Sequence, residues 1–191
     1  MTRRWGILGI VAVASILALG GCVAAPAHLT IAQGMGLCTP SEGGDTFGFG
    51  LPLSSDGSDA VRITSVGASA TGVDIEGPWI VPAASGSDGA PGTGELPVFG
   101  DTFPPTSDLL DWDRRAELDG AEVAVGESVY LFWGLTLGED ATSGTLSGIV
   151  VSYSDGRGEA EAASVGSWFG LAPPPDDPAL GPVCDVPLTP R

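Results

Sequence analysis

The sequence predicts an all-β chain, a two-sheet antiparallel β-sandwich. Three observations carry this. Apolar residues recur at period two in short segments, which sets one side of each segment against a core and the other against water. The segments are divided by clusters of Gly, Asp, Ser and Pro, the turn-formers left to a chain with 30 glycines, 16 prolines and no asparagine. Only one short stretch, 106–116, reads as helical.

Each element follows from its own pattern. Residues 46–53 place Phe47, Phe49, Leu51 and Leu53 on one side, with Gly48 and Gly50 between them. The run Ser-Ser-Asp-Gly-Ser-Asp at 54–59 is a turn. In 60–69 Val61 and Ile63 point inward against Arg62 and Thr64, and in 72–80 Val73 and Ile75 point inward against Asp74 and Glu76. Residues 81–101 are rich in Gly, Pro, Ser and Ala and read as an exposed loop, with a short strand near 96–99. Within 106–116 Ser107 is the expected cap and Asp108 suits the positive end of a helical turn. Leu109, Leu110 and Trp112 are expected to pack beneath it.

The best-defined strand is 128–137. Val129, Leu131, Trp133, Leu135 and Leu137 alternate with Tyr130 and Phe132, so both faces are apolar and the strand should be central. Residues 138–144 turn the chain, and 146–154 return with Ile149, Val151 and Tyr153 inward. Asp155-Gly156 predicts a type I′ hairpin turn, which needs positive φ at both central residues. Residues 159–165 then run back towards Ser167-Trp168-Phe169. With seven prolines in its 19 residues, 173–191 cannot be a central strand and reads as a tail.

About seven short strands joined by turns resemble the immunoglobulin-like and fibronectin-III-like domains of bacterial lipoproteins, over residues 37–171. The cysteine pair and partner tryptophan typical of antibody domains are missing. A second resemblance lies at the N-terminus. Arg3 and Arg4 precede an apolar run from Ile7 to Leu19, the layout of a secretory signal. The run is short of the roughly 20 residues that span a bilayer as a permanent helix. It ends in Leu19-Gly20-Gly21-Cys22, which resembles a bacterial lipobox.

That resemblance implies a diacylglycerol on the thiol of Cys22, cleavage before it, and a mature chain lipid-anchored on the extracytoplasmic face of the bacterial cell membrane. The expected organisation is a signal peptide at 1–21, a flexible tether at 22–36, the sandwich at 37–171 and the Pro-rich tail at 172–191. A plain secretory signal cut within 23–27 is the alternative. Lysine and asparagine are absent while Ala, Gly, Pro and Val abound, which points to GC-rich coding, and so to an actinobacterial source.

Composition then removes whole classes of function. Beyond residue 21 the chain holds all 24 acidic residues against five arginines, a formal charge of −19. Such a field repels nucleic acid and anionic lipid, so no nucleic-acid partner is expected and electrostatic partners should be cationic. The single histidine, His28, lies in the expected tether, which disposes of Ser–His–Asp and Cys–His centres. There is no lysine for Schiff-base chemistry. Two cysteines besides Cys22 cannot complete a four-ligand zinc site. A carboxylate-type glycan hydrolase stays as a distant alternative, although nothing among so many acids selects a pair.

Calcium is better motivated. Asp111, Asp113, Glu117, Asp119 and Glu122 fall at offsets 1, 3, 7, 9 and 12 of a twelve-residue window. Arg115 and Ala116 stand where an EF-hand needs a ligand and a glycine, so that motif fails. A looser inter-strand site, with Asp108 added, is the alternative reading. Trp79, Trp112 and Trp168 sit at segment ends, where an indole either stacks on a sugar or peptide or caps the core.

Cys38 and Cys184 are the two thiols left outside the lipobox. An oxidising compartment should join them, closing a loop of about 147 residues that fastens the tail to the start of the domain. The expected protein is therefore a monomeric, non-enzymatic accessory or interaction module without cofactor. Its anchor is the membrane, reached through the N-terminal lipid, and its partner an unidentified protein or component of the cell envelope. The alternative is capture of calcium or a cationic solute through 108–122.

Overall fold

The computed structural model describes residues 28–34, 36–84, 98–100, 102–106, 108–176 and 184. Cys22 and the lipobox lie outside them, as do Ser107, Leu96 and most of the tail. The described chain is all-β. Its strands are β1 Leu29–Ile31, β2 Gly36–Pro40, β3 Thr46–Ser55, β4 Val61–Thr71, β5 Val73–Pro82, β6 Val98–Gly100, β7 Ala116–Glu117, β8 Glu122–Val123, β9 Ser128–Leu137, β10 Gly144–Ser154, β11 Ala160–Val165 and β12 Trp168–Ala172. No helix among the described residues is long and apolar enough to cross a membrane.

Two six-stranded sheets form a sandwich. The first runs β1-β3-β9-β5-β7, with β6 also pairing β3. The second runs β2-β12-β10-β4-β8, with β11 also pairing β10. As the alternation demanded, Phe49, Leu51, Leu53, Leu131, Trp133 and Leu135 of the first sheet meet Val61, Ile63, Leu146, Ile149, Val151 and Phe169 of the second in one buried cluster. Phe169 is the keystone, with its ring centroid 5.0 Å from that of Phe49 and 6.3 Å from that of Trp133. In β9 every residue from Val129 to Leu135 is buried, so this strand is covered on both faces. It lies between β3 and β5.

Two glycines set the path of the chain. Gly72, at φ 65°, turns it from β4 in one sheet directly into β5 in the other. A side chain there would collide with the Ser143 carbonyl, so the corner excludes every other residue. Gly148, at φ 59°, lies within a register shift between Ser147 and Val150. The irregularity lets Leu146 share the buried side with Ile149, Val151 and Tyr153, which strict alternation would forbid.

Several expectations need correction. Leu29 and Ile31, assigned to a tether, are buried in β1 against β3. Three residues are too few for a periodic signal, although Leu-Thr-Ile does alternate. Ile75 is 38% exposed rather than inward. It pairs with Leu135, but β7 covers β5 only at Trp79 and Ile80, so Ile75 stays at the rim. The helical stretch shrinks to a 3-10 turn at Trp112–Arg114, and Leu109 is exposed while Leu110 is buried.

The hairpin after Ser154 stands where Asp155-Gly156 placed it but is not type I′. Gly158 donates its N–H to the Asp155 carbonyl and takes φ 80°, a turn followed by one left-handed glycine. The buried Asp155 carboxylate holds the loop by accepting the N–H groups of Arg157 and Glu159 at 2.9 and 2.8 Å.

Candidate functional site

The acidic 108–122 segment and the tryptophans were the sequence's best candidates, and the structure draws part of this set together. Its floor is the outer side of the first sheet. Gly48 and Gly50 of β3 have no side chains, and the ring of Phe132 from β9 lies over them. A Cβ at Gly48 would stand 2.7 Å from that ring. Phe103 lies against Gly134 in the same way. The segment around Leu110 then crosses this floor as a strap. Ala84 donates to the Leu109 carbonyl and Asp111 to the Pro82 carbonyl, both at 2.9 Å.

On this scaffold four rings make a second cluster, separate from the core between the sheets. Trp112 meets Trp79, Phe103 and Phe132 edge-on, with centroids 5.6, 5.5 and 5.4 Å apart. Phe103 stacks over Phe132 at 6.4 Å. Val81, Leu110 and Tyr130 complete the buried base. The Arg115 guanidinium carbon sits 5.0 Å above the Trp112 ring, and its Nη1 donates to the Trp112 carbonyl at 3.3 Å. Trp79 and Trp112 are thus half-buried parts of a satellite core rather than free stacking platforms. Trp168 also covers its own chain, since its indole fills the space beside Gly36.

The carboxylates do not gather. Asp111 pairs with Arg114 at 3.7 Å beside the strap, and Asp113 is exposed in the 3-10 turn. Glu117 lies on β7 of the first sheet, while Glu122 lies on β8 of the second and pairs with Arg62 at 3.7 Å. Asp108 and Asp119 are exposed in turns. The chain changes sheets between β7 and β8, so even spacing in sequence becomes separation in space. Among the described residues no three His, Cys, Asp or Glu side chains are placed to hold a metal ion. Glu122 and Arg62 instead line an open, polar recess of about 480 Å³ with Asp59, Ser154 and Asp155.

The cysteine pairing is present. Cys38 on β2 bonds Cys184, with Cα atoms 5.8 Å apart, as disulfide geometry requires. What sequence reasoning missed was Phe103 and Arg115 as members of the aromatic cluster. The available signal was the set Gly48, Gly50 and Gly134, bare positions on two neighbouring strands that require rings from elsewhere.

Tyr153 carries a perturbed hydroxyl. Burial raises the pKa of Tyr153 above the ordinary 10.0, and its hydroxyl donates to Glu161 Oε2 at 2.7 Å, which adds to the rise.

No protein-family model matches the sequence, and no curated protein matches it at a significant level. Among solved structures, a family 123 glycoside hydrolase from Clostridium perfringens is similar at a TM-score of 0.42 and 8% sequence identity. The overlap covers 78% of this chain and 28% of the hydrolase, so the chain spans under a third of that protein.

Proposed function

We propose that the chain is a lipid-anchored, extracytoplasmic interaction module of the bacterial envelope, an immunoglobulin-like sandwich that binds a partner and catalyses nothing. The Cys38–Cys184 disulfide carries the reading. Such a bond persists in oxidising compartments, the side of the membrane to which Leu19-Gly20-Gly21-Cys22 would deliver the domain.

Strand order supports the immunoglobulin-like type. The opening segment is shared between sheets, β1 joining β3 antiparallel and β2 joining β12 parallel. The remaining orders, β3-β9-β5 and β12-β10-β4, correspond to strands B-E-D and G-F-C of that class. The scatter of the 108–122 acids over two sheets lends the calcium-capture reading no support.

The test is expression in a bacterial host with labelled fatty acid. The wild-type protein should take up label and partition into the detergent phase, because two or three acyl chains hold firmly. Cys22→Ser should lose both properties. Unchanged membrane retention of that variant would overturn the anchor.

A further inference from the structure

We propose that the outer side of β4, from Ser65 to Thr71, receives an extended lysine- or arginine-rich segment of another protein as an added strand of the second sheet. This gives the interaction module read above its partner chemistry, and it rests on that reading. The inner side of the stretch is paired with β10. On the outer side β8 pairs only Val61 and Arg62, and the Ile63 N–H donates to the Ala121 carbonyl at 2.8 Å. Thr64 is the extra residue of a register shift, and beyond it no described residue pairs with the outer side. From Ser65 to Thr71 every residue except Val66 is exposed. The strand therefore presents a row of N–H and C=O groups of the kind to which an extended peptide adds.

Native proteins blunt such edges with charge, proline or cover, and the other rims of this sandwich are treated that way. The part of β5 that β7 leaves uncovered carries Asp74, Glu76 and Pro78. Glu161 lies on β11, whose end is closed by the Gln33 amide, donating to the Ser164 carbonyl and accepting the Gly166 N–H. β2 ends in Pro40 and carries the disulfide. From Ile63 to Thr71, β4 has neither charge nor proline. Its small residues, Gly67, Ala68, Ser69 and Ala70, also leave room for larger side chains on an added strand.

Charge selects the occupant, because carboxylates surround this neutral edge. At its Ser65 end stands a turn in which Ala121 donates to the Leu118 carbonyl at 3.0 Å, with Asp119 exposed in it. At its Thr71 end Gly138 donates to the Gly72 carbonyl at 3.1 Å, and the exposed Glu139 and Asp140 follow in that turn. Asp74 and Glu76 run alongside on β5 in the other sheet, across the roughly 10 Å that separate packed sheets. Among the described residues none of these five carboxylates is ion-paired; Arg62 is taken by Glu122 and Arg114 by Asp111. A strand bearing cations would enter an uncompensated negative field. A second copy, equally acidic and without lysine, would not answer that field.

Calorimetric titration of the full chain in detergent with a capped octapeptide alternating Lys and Val tests this. Binding is expected, weakening as added salt screens the attraction. An octapeptide alternating Lys and Pro carries the same charge but lacks every second N–H, and should bind at least about tenfold more weakly. Amide exchange should show 65–71 protected by the Lys–Val peptide. Ser69→Lys and Glu76→Lys, made separately, should each weaken the complex several-fold, with thermal melting to check that each variant folds. Absence of binding would overturn the proposal. So would equal binding of the Lys–Pro peptide, unchanged exchange at 65–71, or folded variants that bind as the wild type does, since charge alone would then account for the contact. Protection of 65–71 on concentrating the chain without peptide would assign the edge to a second copy and overturn it as well. None of these outcomes touches the fatty-acid labelling at Cys22, so failure here is distinct from failure of the anchored-module reading.

Discussion

Cys184 rests on the bare backbone of Gly170: a Cβ built on that glycine would stand 2.6 Å from the sulfur, closer than real Cβ atoms approach. The clasp and the glycine are therefore one device. β12 leaves the space at Gly170, and the tail fills it with the disulfide.

Loss of the bond should be costly. Cys184→Ser should lower stability by up to about 5 kcal/mol, the upper range for closing so long a loop. Gly170→Ala should also impair the clasp, because a rigid disulfide cannot swing aside. Denaturant titration, with mass spectrometry of unreduced peptides, checks both. A fully bridged Gly170→Ala protein of wild-type stability would contradict the packing.

Trp133 is 1% exposed, between the sheets. Trp133→Ala should cost roughly 3–5 kcal/mol, as large-to-small core changes do. Equilibrium unfolding measures this, and a loss below about 1 kcal/mol is incompatible with its burial.

The glycine floor predicts a contrast. Gly48→Ala drives a methyl into the fully buried Phe132 ring and should destabilise by about 1–3 kcal/mol. Gly67→Ala meets nothing within 4 Å and should fall within about 0.5 kcal/mol of wild type. Parallel melts of the two variants suffice.

Tyr153 gives a pH dependence. Its folded pKa is raised, so the neutral hydroxyl is the form the fold prefers. The stability it supplies is complete below the unfolded value near 10.0 and is lost as pH climbs through the folded value. The chain has no lysine to mask this, so melting from pH 8 to 11 should show a decline that Tyr153→Phe reduces. An identical decline in the variant would assign the effect to other groups.

What could be read in advance followed from local rules. Period-two alternation was enough for β3, β9 and β10, because both partners of each buried contact carry the pattern. The pairing of Cys38 with Cys184 followed from counting thiols. Alternation was misleading at Ile75, whose inward position has no strand covering the rim beside it. At Leu29–Ile31 a two-residue signal was too short to notice. The candidate metal residues failed for a different reason: spacing along the chain carries no distance once the chain passes from β7 in one sheet to β8 in the other. The satellite aromatic cluster rests on Phe103 reaching Gly134, a contact between segments that no local pattern announces.

The bond between Cys38 and Cys184 also decides how the molecule answers force. A pull on the two ends of the chain travels to Cys38, crosses the sulfur bridge and leaves at Cys184, so the 146 residues of separation between them carry no tension. Among the described residues, only β1 and the first residues of β2 can peel away. Reduction would put the whole sandwich in the line of load and add roughly 500 Å of extensible chain, at about 3.4 Å per residue. In its oxidised form the domain is an inextensible link, whatever strain reaches it from either end.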